Sequence, residues 1–154
     1  ARVPIDVKYP GRPLDFSFGY FDYLVVRTHV ADLIEKHQGH IQRFPVMLEP
    51  TGEQGYEVIF SLDAPKGLVD VGRALEHEFY QEDDTRVTMR YGGLAPRQKG
   101  MLSKLHPLHI LADKAQGYGF FRPWEYASAL IISKALKDDY EKSGVTGIKY
   151  PLVS

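Results

Sequence analysis

The first third of the chain alternates short apolar runs with one amphipathic stretch. Leu24–Val26 is a β-branched run, which predicts a short buried strand. Thr28 then offers a potential N-cap, and Val30, Leu33 and Ile34 follow at the i, i+3, i+4 spacing of one helix face. The pattern therefore predicts a strand followed directly by a short helix.

Two further strands are predicted after this helix, joined as a hairpin. Ile41–Leu48 and Tyr56–Leu62 are rich in apolar and aromatic residues, and the polar segment Glu49–Gly55 between them contains proline and glycine. Upstream, residues 1–15 contain three prolines, which favours an irregular arm with at most a short edge strand at Ile5–Val7.

The second half of the chain gives weaker signals. Leu68, Val71, Leu75 and Phe79 have a spacing that permits a helix, although Gly72 weakens it. The other predicted elements are a strand at Val87–Tyr91, a loop at Gly92–Gly100, an apolar stretch at Leu105–Leu111, a strand at Ala129–Ile132, a helix at Lys134–Lys142 and a last strand at Gly147–Val153.

Residues 23–48 and 129–154 repeat the same order of apolar and polar positions. At a constant offset of 106 residues, Asp32, Glu35 and Lys36 coincide with identical residues, and both segments end on an aromatic-Pro-aliphatic triplet. The match predicts either a duplication or a pseudo-symmetric packing, although any two strand–helix–strand segments share some of this pattern. The expected fold is α/β in the broad sense (α+β). It is a single domain over 1–154, with a mixed or antiparallel sheet, two similar strand–helix–strand segments and a few helices.

Composition supports one self-sufficient domain. The chain has 154 residues, is 44% hydrophobic and contains 8 Phe and 10 Tyr, which is enough to build a core without a covalent staple. It contains no cysteine, which removes disulfides, thiolate metal sites and cysteine nucleophiles, and suits a reducing compartment. The formal net charge of −1 is unlike that of a dedicated nucleic-acid binder.

The sequence predicts a cytoplasmic protein with no membrane contact. The longest nearly uninterrupted apolar run, Ala127–Ile132, is far too short to cross a bilayer. The first residues, Ala1–Pro4, contain no apolar stretch of the kind found in a signal peptide.

Histidines provide the nearest approach to a metal signature. His106 and His109 lie three residues apart, but Pro107 between them disfavours a shared helix face, and the next nearest histidine is His77. We therefore predict no metal and no cofactor. A small metal-dependent hydrolase or transferase using His77, His106 or His109 stays open as the alternative.

Catalytic nucleophile motifs are also missing. The sequence has no G-x-S-x-G, Walker or dinucleotide-binding spacing. Ser133, between a predicted strand and helix, has no flanking glycines and is interpreted as an N-cap. The sequence therefore favours a protein that is not an enzyme.

The strongest contrast along the chain is one of charge. Acids without an intervening base occupy positions 76–84, and bases without an intervening acid follow. The acids are Glu76, Glu78, Glu82, Asp83 and Asp84, and the bases are Arg86, Arg90, Arg97, Lys99 and Lys104. Such runs are commonly solvated faces. The acidic run carries Phe79 and Tyr80 and also suits a basic protein partner, because complementary charge speeds association and aromatic residues anchor interfaces. The basic run suits phosphates less well, because the whole chain is close to neutral.

Aromatic residues are concentrated at Tyr118–Tyr126, which holds the single Trp of the chain. The simplest interpretation is a loop that buries its rings on entering a strand. The alternative is an exposed patch for a binding partner.

The C-terminal third resembles a bacterial family. Its features are Phe120–Arg122, the aliphatic strand Ala129–Ser133, the helical Leu136-Lys137 step, and the closing segment Gly144–Leu152 with its Gly-hydroxyl-Gly-aliphatic and aromatic-Pro-aliphatic pattern. Together they are similar to the predicted immunity proteins of polymorphic-toxin systems, of the type described from myxobacteria. The upstream segment Tyr23–Leu48 resembles an earlier strand–helix–strand of the same family.

The resemblance implies a cytoplasmic antidote that binds the catalytic domain of a cognate toxin, delivered by secretion such as the type VI system, and occludes its active site. Toxins paired with this family are often nucleases, whose faces are typically basic. The expected toxin-binding residues are Glu76, Glu78, Tyr80, Glu82, Asp83 and Asp84. No nucleic-acid or membrane partner is expected, and the resemblance leaves the oligomeric state open.

Overall fold

The computed structural model describes residues 2–7, 11–18, 24–81, 87–90, 93–96, 99–151 and 153, with the backbone alone for 87–90 and 93–96. The strands and helices of these residues are β1 (Val3–Asp6), β2 (Phe16–Phe18), β3 (Leu24–Arg27), α1 (Thr28–Lys36), β4 (Ile41–Glu49), β5 (Glu53–Ser61), β6 (Glu76–Phe79), β7 (Val87–Arg90), β8 (Gly93–Pro96), β9 (Leu102–His106), β10 (Phe120–Phe121), β11 (Ile131–Ile132) and α2 (Lys134–Lys142). Single 3-10 turns lie at Val71–Arg73 and Trp124–Tyr126.

A mixed five-stranded sheet is built from the first 61 residues. Its strand order is β1-β4-β5-β3-β2, in which β1 runs parallel to β4 and the other neighbours are antiparallel. The predicted hairpin is confirmed as β4 and β5, and the predicted edge strand is confirmed as β1, which begins two residues earlier and ends one residue earlier than expected. Three antiparallel pairs, β6–β9, β7–β8 and β10–β11, accompany the sheet. The α+β class and the single compact domain are thus confirmed.

One face of the sheet carries the main core. Leu24, Val26 and Ile59 point from the sheet toward α1, because alternate residues of a strand face opposite sides. The buried members of this cluster are Phe16, Leu24, Val26, Val30, Ala31, Ile34, Ile59, Phe120, Leu136 and Tyr140. Both helices and β10 therefore meet the sheet in one hydrophobic cluster.

The opposite face of the sheet forms a second, smaller cluster. Val25, Val46, Tyr56 and Val58 are buried there. The guanidinium carbon of Arg27 lies 4.1 Å from the centre of the Tyr56 ring, a cation–π geometry. Burial of Tyr56 raises its pKa, although the nearby Arg27 opposes this rise. The sheet is therefore packed on both faces.

The helical parts of the two similar segments correspond residue for residue. Shifting α1 by 106 positions gives the bounds of α2, and the helices pack against each other in the main core. Ser133 is the predicted N-cap of α2, and its hydroxyl accepts a hydrogen bond from the Leu136 amide at 3.2 Å. In the first segment Thr28 is the first helical residue, and Arg27 occupies the N-cap position.

The correspondence ends after the helices. The predicted strand Gly147–Val153 is wrong for its described residues, 147–151 and 153, which form no strand. Gly147 has φ +93°, and a Cβ there would lie 2.0 Å from the Phe16 carbonyl oxygen. This left-handed residue at a close backbone contact turns the chain away from the extended path.

The predicted helix over 68–79 is also wrong. Leu68 is 4% exposed whereas Leu75 is 84% exposed, so the two leucines do not share a buried face. The segment instead forms a bridge from Val69 to Ile110, a 3-10 turn and then β6. Pairing with residues 101–111 outweighs the weak helical propensity of a stretch that contains Gly72.

Two predictions for the region 87–111 need adjustment. The strand predicted at Val87–Tyr91 is confirmed as β7, but the predicted loop Gly92–Gly100 contains β8, which pairs with β7 from Arg90↔Gly93 to Val87↔Pro96. The apolar stretch Leu105–Leu111 overlaps the end of β9, which begins earlier, at Leu102. The antiparallel pairing of β7 with β8 was not predicted, because the glycines of this segment favoured a loop.

The aromatic segment at 118–126 mainly serves the core. Phe120 and Phe121 are 0% and 1% exposed, as the simpler interpretation predicted. Trp124 is half-buried, and the Lys66 ammonium lies 4.3 Å from its ring centre. Within the described ranges no helix has both the length and the apolar character needed to span a bilayer.

Asp139 links the two helices electrostatically, and we expect it to make the stability of the fold depend on pH. Its Oδ2 lies 2.6 Å from His37 Nε2 and 3.1 Å from Lys36 Nζ, and these hydrogen bonds lower the pKa of Asp139. A lowered folded-state pKa stabilises the fold above the unfolded value, about 3.9, and this contribution is lost as the pH falls through the folded value.

Asp139→Asn should therefore lower the melting temperature near pH 6, and the difference from the wild type should shrink below pH 4. Asp113→Asn, which alters an exposed carboxylate of a turn, is the control. A destabilisation by Asp139→Asn that stays constant from pH 6 to pH 3 would contradict this explanation.

Candidate protein-binding surface

The first of the expected toxin-binding residues lie on a two-stranded ribbon that is separate from the main sheet. β6 and β9 pair antiparallel, with Glu76↔His106, His77↔Leu105 and Glu78↔Lys104 in register. Backbone hydrogen bonds from Leu75 to His106 and from Tyr80 to Met101 extend the ladder at both ends. Ser103 is the extra residue of a bulge between Glu78 and Phe79, and its hydroxyl donates to the Glu78 carbonyl at 3.2 Å.

The ribbon has one charged face and one face with apolar residues. Residues directly opposite in the ladder share a face, so Glu76, Glu78, Lys104 and His106 lie together. On the other face β9 contributes Leu102 and Leu105, which are buried against the body of the protein, whereas β6 contributes His77 and Phe79, which are exposed. All four residues of β6 are exposed.

An ion pair partly neutralises the charged face. Lys104 Nζ lies 2.8 Å from Glu76 Oε2, and each side chain is 58% exposed. The hydrogen bond from Lys104 lowers the pKa of Glu76, and the same bond raises the pKa of Lys104, which the nearby Glu78 raises further. Such an exposed pair contributes little to stability. Two carboxylates therefore share one ammonium on this face.

Apolar side chains stand out beside these carboxylates. Leu75, immediately before β6, is 84% exposed, and Phe79, at its end, is 39% exposed. The His77 ring lies 5.8 Å from the Phe79 ring in an edge-to-face arrangement, so the two rings lie side by side on one face. The apolar spacing of Leu75 and Phe79 permitted a helix, and Phe79 was also expected in the acidic patch, whereas the high exposure of Leu75 is visible only in the structure.

The expected toxin-binding residues are only partly brought together. Glu76 and Glu78 share the charged face of β6, and Tyr80 follows the strand as a half-buried residue. Glu82, Asp83 and Asp84 lie outside the described residues. The surface that the structure provides is therefore β6 with Leu75, which we call the β6 edge.

The three histidines of the alternative prediction are not assembled into one site. His77 and His106 lie on opposite faces of the ribbon, because His77 pairs with Leu105 and Glu76 pairs with His106. His109 is half-buried, and its carbonyl accepts from the Asp70 amide. The described part of the chain contains no group of three or more His, Asp or Glu side chains arranged to hold a metal ion.

Histidine–aspartate pairs occur elsewhere, where sequence spacing gave no signal. His40 Nδ1 lies 2.9 Å from both carboxylate oxygens of Asp63, which also accepts from the His40 amide. His40 is 72% exposed, so this dyad stands on the surface. Its members are separated by 23 residues and meet because the β4–β5 hairpin brings its ends together. The other pair, His37 with Asp139, joins the helices.

The basic residues of the run from Arg86 to Lys104 are likewise only partly brought together in the structure. Lys104 binds Glu76, so part of the charge contrast along the sequence is a cross-strand pairing within the ribbon. Lys99 is exposed, Arg90 lies on β7, and Arg86 and Arg97 lie outside the described residues.

Scanned against protein-family models, the chain matches none, and a search of curated proteins gives no significant match.

Proposed function

We propose that this protein is a cytoplasmic immunity protein that binds a cognate bacterial toxin, of the nuclease type, and neutralises it by occluding its active site. The observation that carries the proposal is the β6 edge, where Glu76 and Glu78 are exposed next to exposed apolar residues. Carboxylates beside apolar anchors are what a basic protein surface recognises.

The charge arrangement supports a basic partner. A nuclease attracts the phosphates of its substrate with Lys and Arg, so its active-site face is positive. Lys104 offsets one of the two carboxylates of the ribbon face, and the sequence adds Glu82, Asp83 and Asp84 immediately after β6. This part of the chain therefore has a local excess of negative charge that would steer such a face toward it.

The placement of the β6 edge also suits a binding protein. Leu102 and Leu105 of β9 are 3% and 7% exposed and anchor the ribbon to the body of the protein. A ribbon held in this way presents β6 without first having to be ordered, which lowers the entropic cost of association.

Co-expression tests the proposal directly. The gene is expressed in bacteria together with the C-terminal catalytic domain of the toxin encoded beside it, and survival is compared with that of cells lacking this protein. We expect survival together with a complex that can be isolated from the cells. Unchanged killing at equal toxin levels, with no complex, would contradict the proposed function.

Charge reversal on β6 tests where the toxin binds. Glu78→Lys should slow association with a catalytically inactive toxin domain about 10-fold at low ionic strength, because it replaces attraction by repulsion, and high salt should reduce the difference. Stopped-flow or biosensor kinetics over a salt series measures this change.

Glu141→Lys provides the matched control. It makes the same change of charge on the exposed last turn of α2, where a lysine is compatible with the helix dipole. If both variants slow association equally, net charge alone is responsible and the β6 edge is not the docking site.

A further inference from the structure

We propose that Leu75 and Phe79 are the anchor of the toxin complex and enter an apolar pocket inside the basic face of the toxin. This inference rests on the proposed function and assigns separate kinetic roles to the apolar and the acidic residues of the β6 edge. The two apolar residues determine how long the complex lasts, and the carboxylates determine how fast it forms.

Two large apolar side chains of the β6 edge are exposed close together in the sequence. Leu75 is 84% exposed, more than any other large hydrophobic residue among those described, and Phe79 lies four residues further along the same extended segment. The large hydrophobic residues that are exposed in the described part of the chain are Val3, Leu14, Phe18, Phe44, Leu62, Leu75 and Phe79. Within the segment 75–79 two of them flank a histidine whose ring touches Phe79. Large apolar side chains grouped in this way commonly mark interaction sites.

The outer edge of β6 gives a partner access to both faces of the strand. In the described residues β6 pairs with β9, on one side of the strand, and its four side chains are exposed on both faces. A partner that approaches the outer edge of β6 therefore meets both rows at once, with Glu76 and Glu78 on one side and His77 and Phe79 on the other. Apolar anchors with a charged rim are the usual anatomy of a protein interface.

Charge identifies the occupant. Glu76 and Glu78 favour a basic surface, whereas a second copy of this chain docked through β6 would bring four carboxylates close together. Addition of a strand by backbone pairing is also disfavoured, because β6 is short, charged and next to a bulge, which are features that protect an edge. Side-chain insertion into a basic partner is the mode that agrees with all three observations.

The two sets of residues should have different kinetic signatures. Removal of a buried anchor mainly raises the dissociation rate constant, whereas removal of a rim charge mainly lowers the association rate constant. Leu75→Ala should raise the Kd for the inactive toxin domain about 10-fold or more, almost entirely through faster dissociation and equally at low and high salt. Phe79→Ala should act in the same direction, and Glu78→Lys should show the opposite kinetic pattern.

The experiment measures both rate constants for the wild type, Leu75→Ala, Phe79→Ala and Leu62→Ala. Leu62 is the matched control, because it is a leucine with 60% exposure that lies outside the ribbon. Leu75 is so exposed that its replacement leaves the core untouched, and an unchanged melting temperature verifies this. Size-exclusion chromatography of the free protein reports whether a self-associated form depends on Leu75.

Faster dissociation for Leu75→Ala, with Leu62→Ala unchanged, supports the proposal. Tight binding by the wild type with unaltered dissociation for Leu75→Ala and Phe79→Ala overturns this inference and leaves the proposed function standing. A dimer that Leu75→Ala dissolves would also overturn it, by assigning the β6 edge to a second copy. Absence of binding by the wild type overturns the proposed function itself.

Discussion

Tyr140→Ala is expected to lower the free energy of unfolding by about 3–5 kcal/mol, as large-to-small changes of aromatic residues do in well-packed cores. Tyr140 is 0% exposed and lies in α2 against the main core, where burial raises its pKa far above the ordinary value. Its removal leaves a cavity between the helices, where Val30 and Ile34 of α1 and Leu136 of α2 are packed. Urea unfolding followed by far-UV circular dichroism measures the change.

The contributions of the hydroxyl and of the ring of Tyr140 to stability can be measured separately. The hydroxyl donates to the Val30 carbonyl at 3.5 Å, which is a long hydrogen bond, so Tyr140→Phe should cost no more than about 1 kcal/mol. Equal losses for the two variants would show that the hydrogen bond, and not packing, dominates at this position.

Gly119→Ala is expected to destabilise the protein by about 3 kcal/mol or more. A Cβ at this position would lie 1.4 Å from the His37 carbonyl oxygen, so backbone and not a flexible side chain has to move. The same short segment donates from the Gly119 amide to the Gln38 carbonyl and accepts from the Ser133 amide, and it thereby joins the end of α1 to the start of α2. Thermal and urea denaturation measure the loss.

Gly72→Ala is the matched control for this substitution. A Cβ at Gly72 meets Asp70 Oδ1 at 3.5 Å, an ordinary contact, and the backbone there needs no left-handed conformation. We expect a change within about 0.5 kcal/mol, or a slight gain from the reduced entropy of the unfolded chain. If Gly119→Ala is as mild as Gly72→Ala, the junction between the helices adapts more freely than its contacts indicate.

The helices could be predicted from sequence because their signals are local. In α2 the N-cap Ser133 and the buried pair Leu136 and Tyr140 lie within one short window. The first helix repeats the buried pair, as Val30 and Ile34, but not the side-chain cap, because Arg27 occupies its N-cap position. The hairpin of β4 and β5 was predictable for a similar reason, since its strands are neighbours along the chain.

Elements that depend on distant partners could not be predicted in this way. β6 exists because residues 101–106 pair with it, and no local pattern identifies a partner more than twenty residues away. Gly147 turns the C-terminal segment because the backbone of Phe16 lies against it, a contact across almost the whole chain.

The candidate site was predictable in its charge and not in its shape. The exposure of Glu76 and Glu78 follows from an acidic run, but their partner Lys104 belongs to the basic run and meets them only through strand pairing. The apolar spacing of Leu75 and Phe79 permitted a helix, and although Phe79 was expected in the acidic patch, no local pattern indicated that Leu75 would be exposed beside it. The residues that best indicate a binding surface at the β6 edge are thus the hydrophobic residues that are exposed to solvent, Leu75 and Phe79.

The order in which the core is completed has a consequence during synthesis on the ribosome. The strands of the five-stranded sheet and α1 all lie within the first 61 residues, but Phe120, Leu136 and Tyr140, which close the main core, are translated last. At roughly 5–20 residues per second, several seconds pass between the emergence of β5 and that of α2. During this interval the apolar face of the nascent sheet and α1 lacks its cover, so newly made chains should be substrates for ribosome-associated chaperones until α2 has emerged.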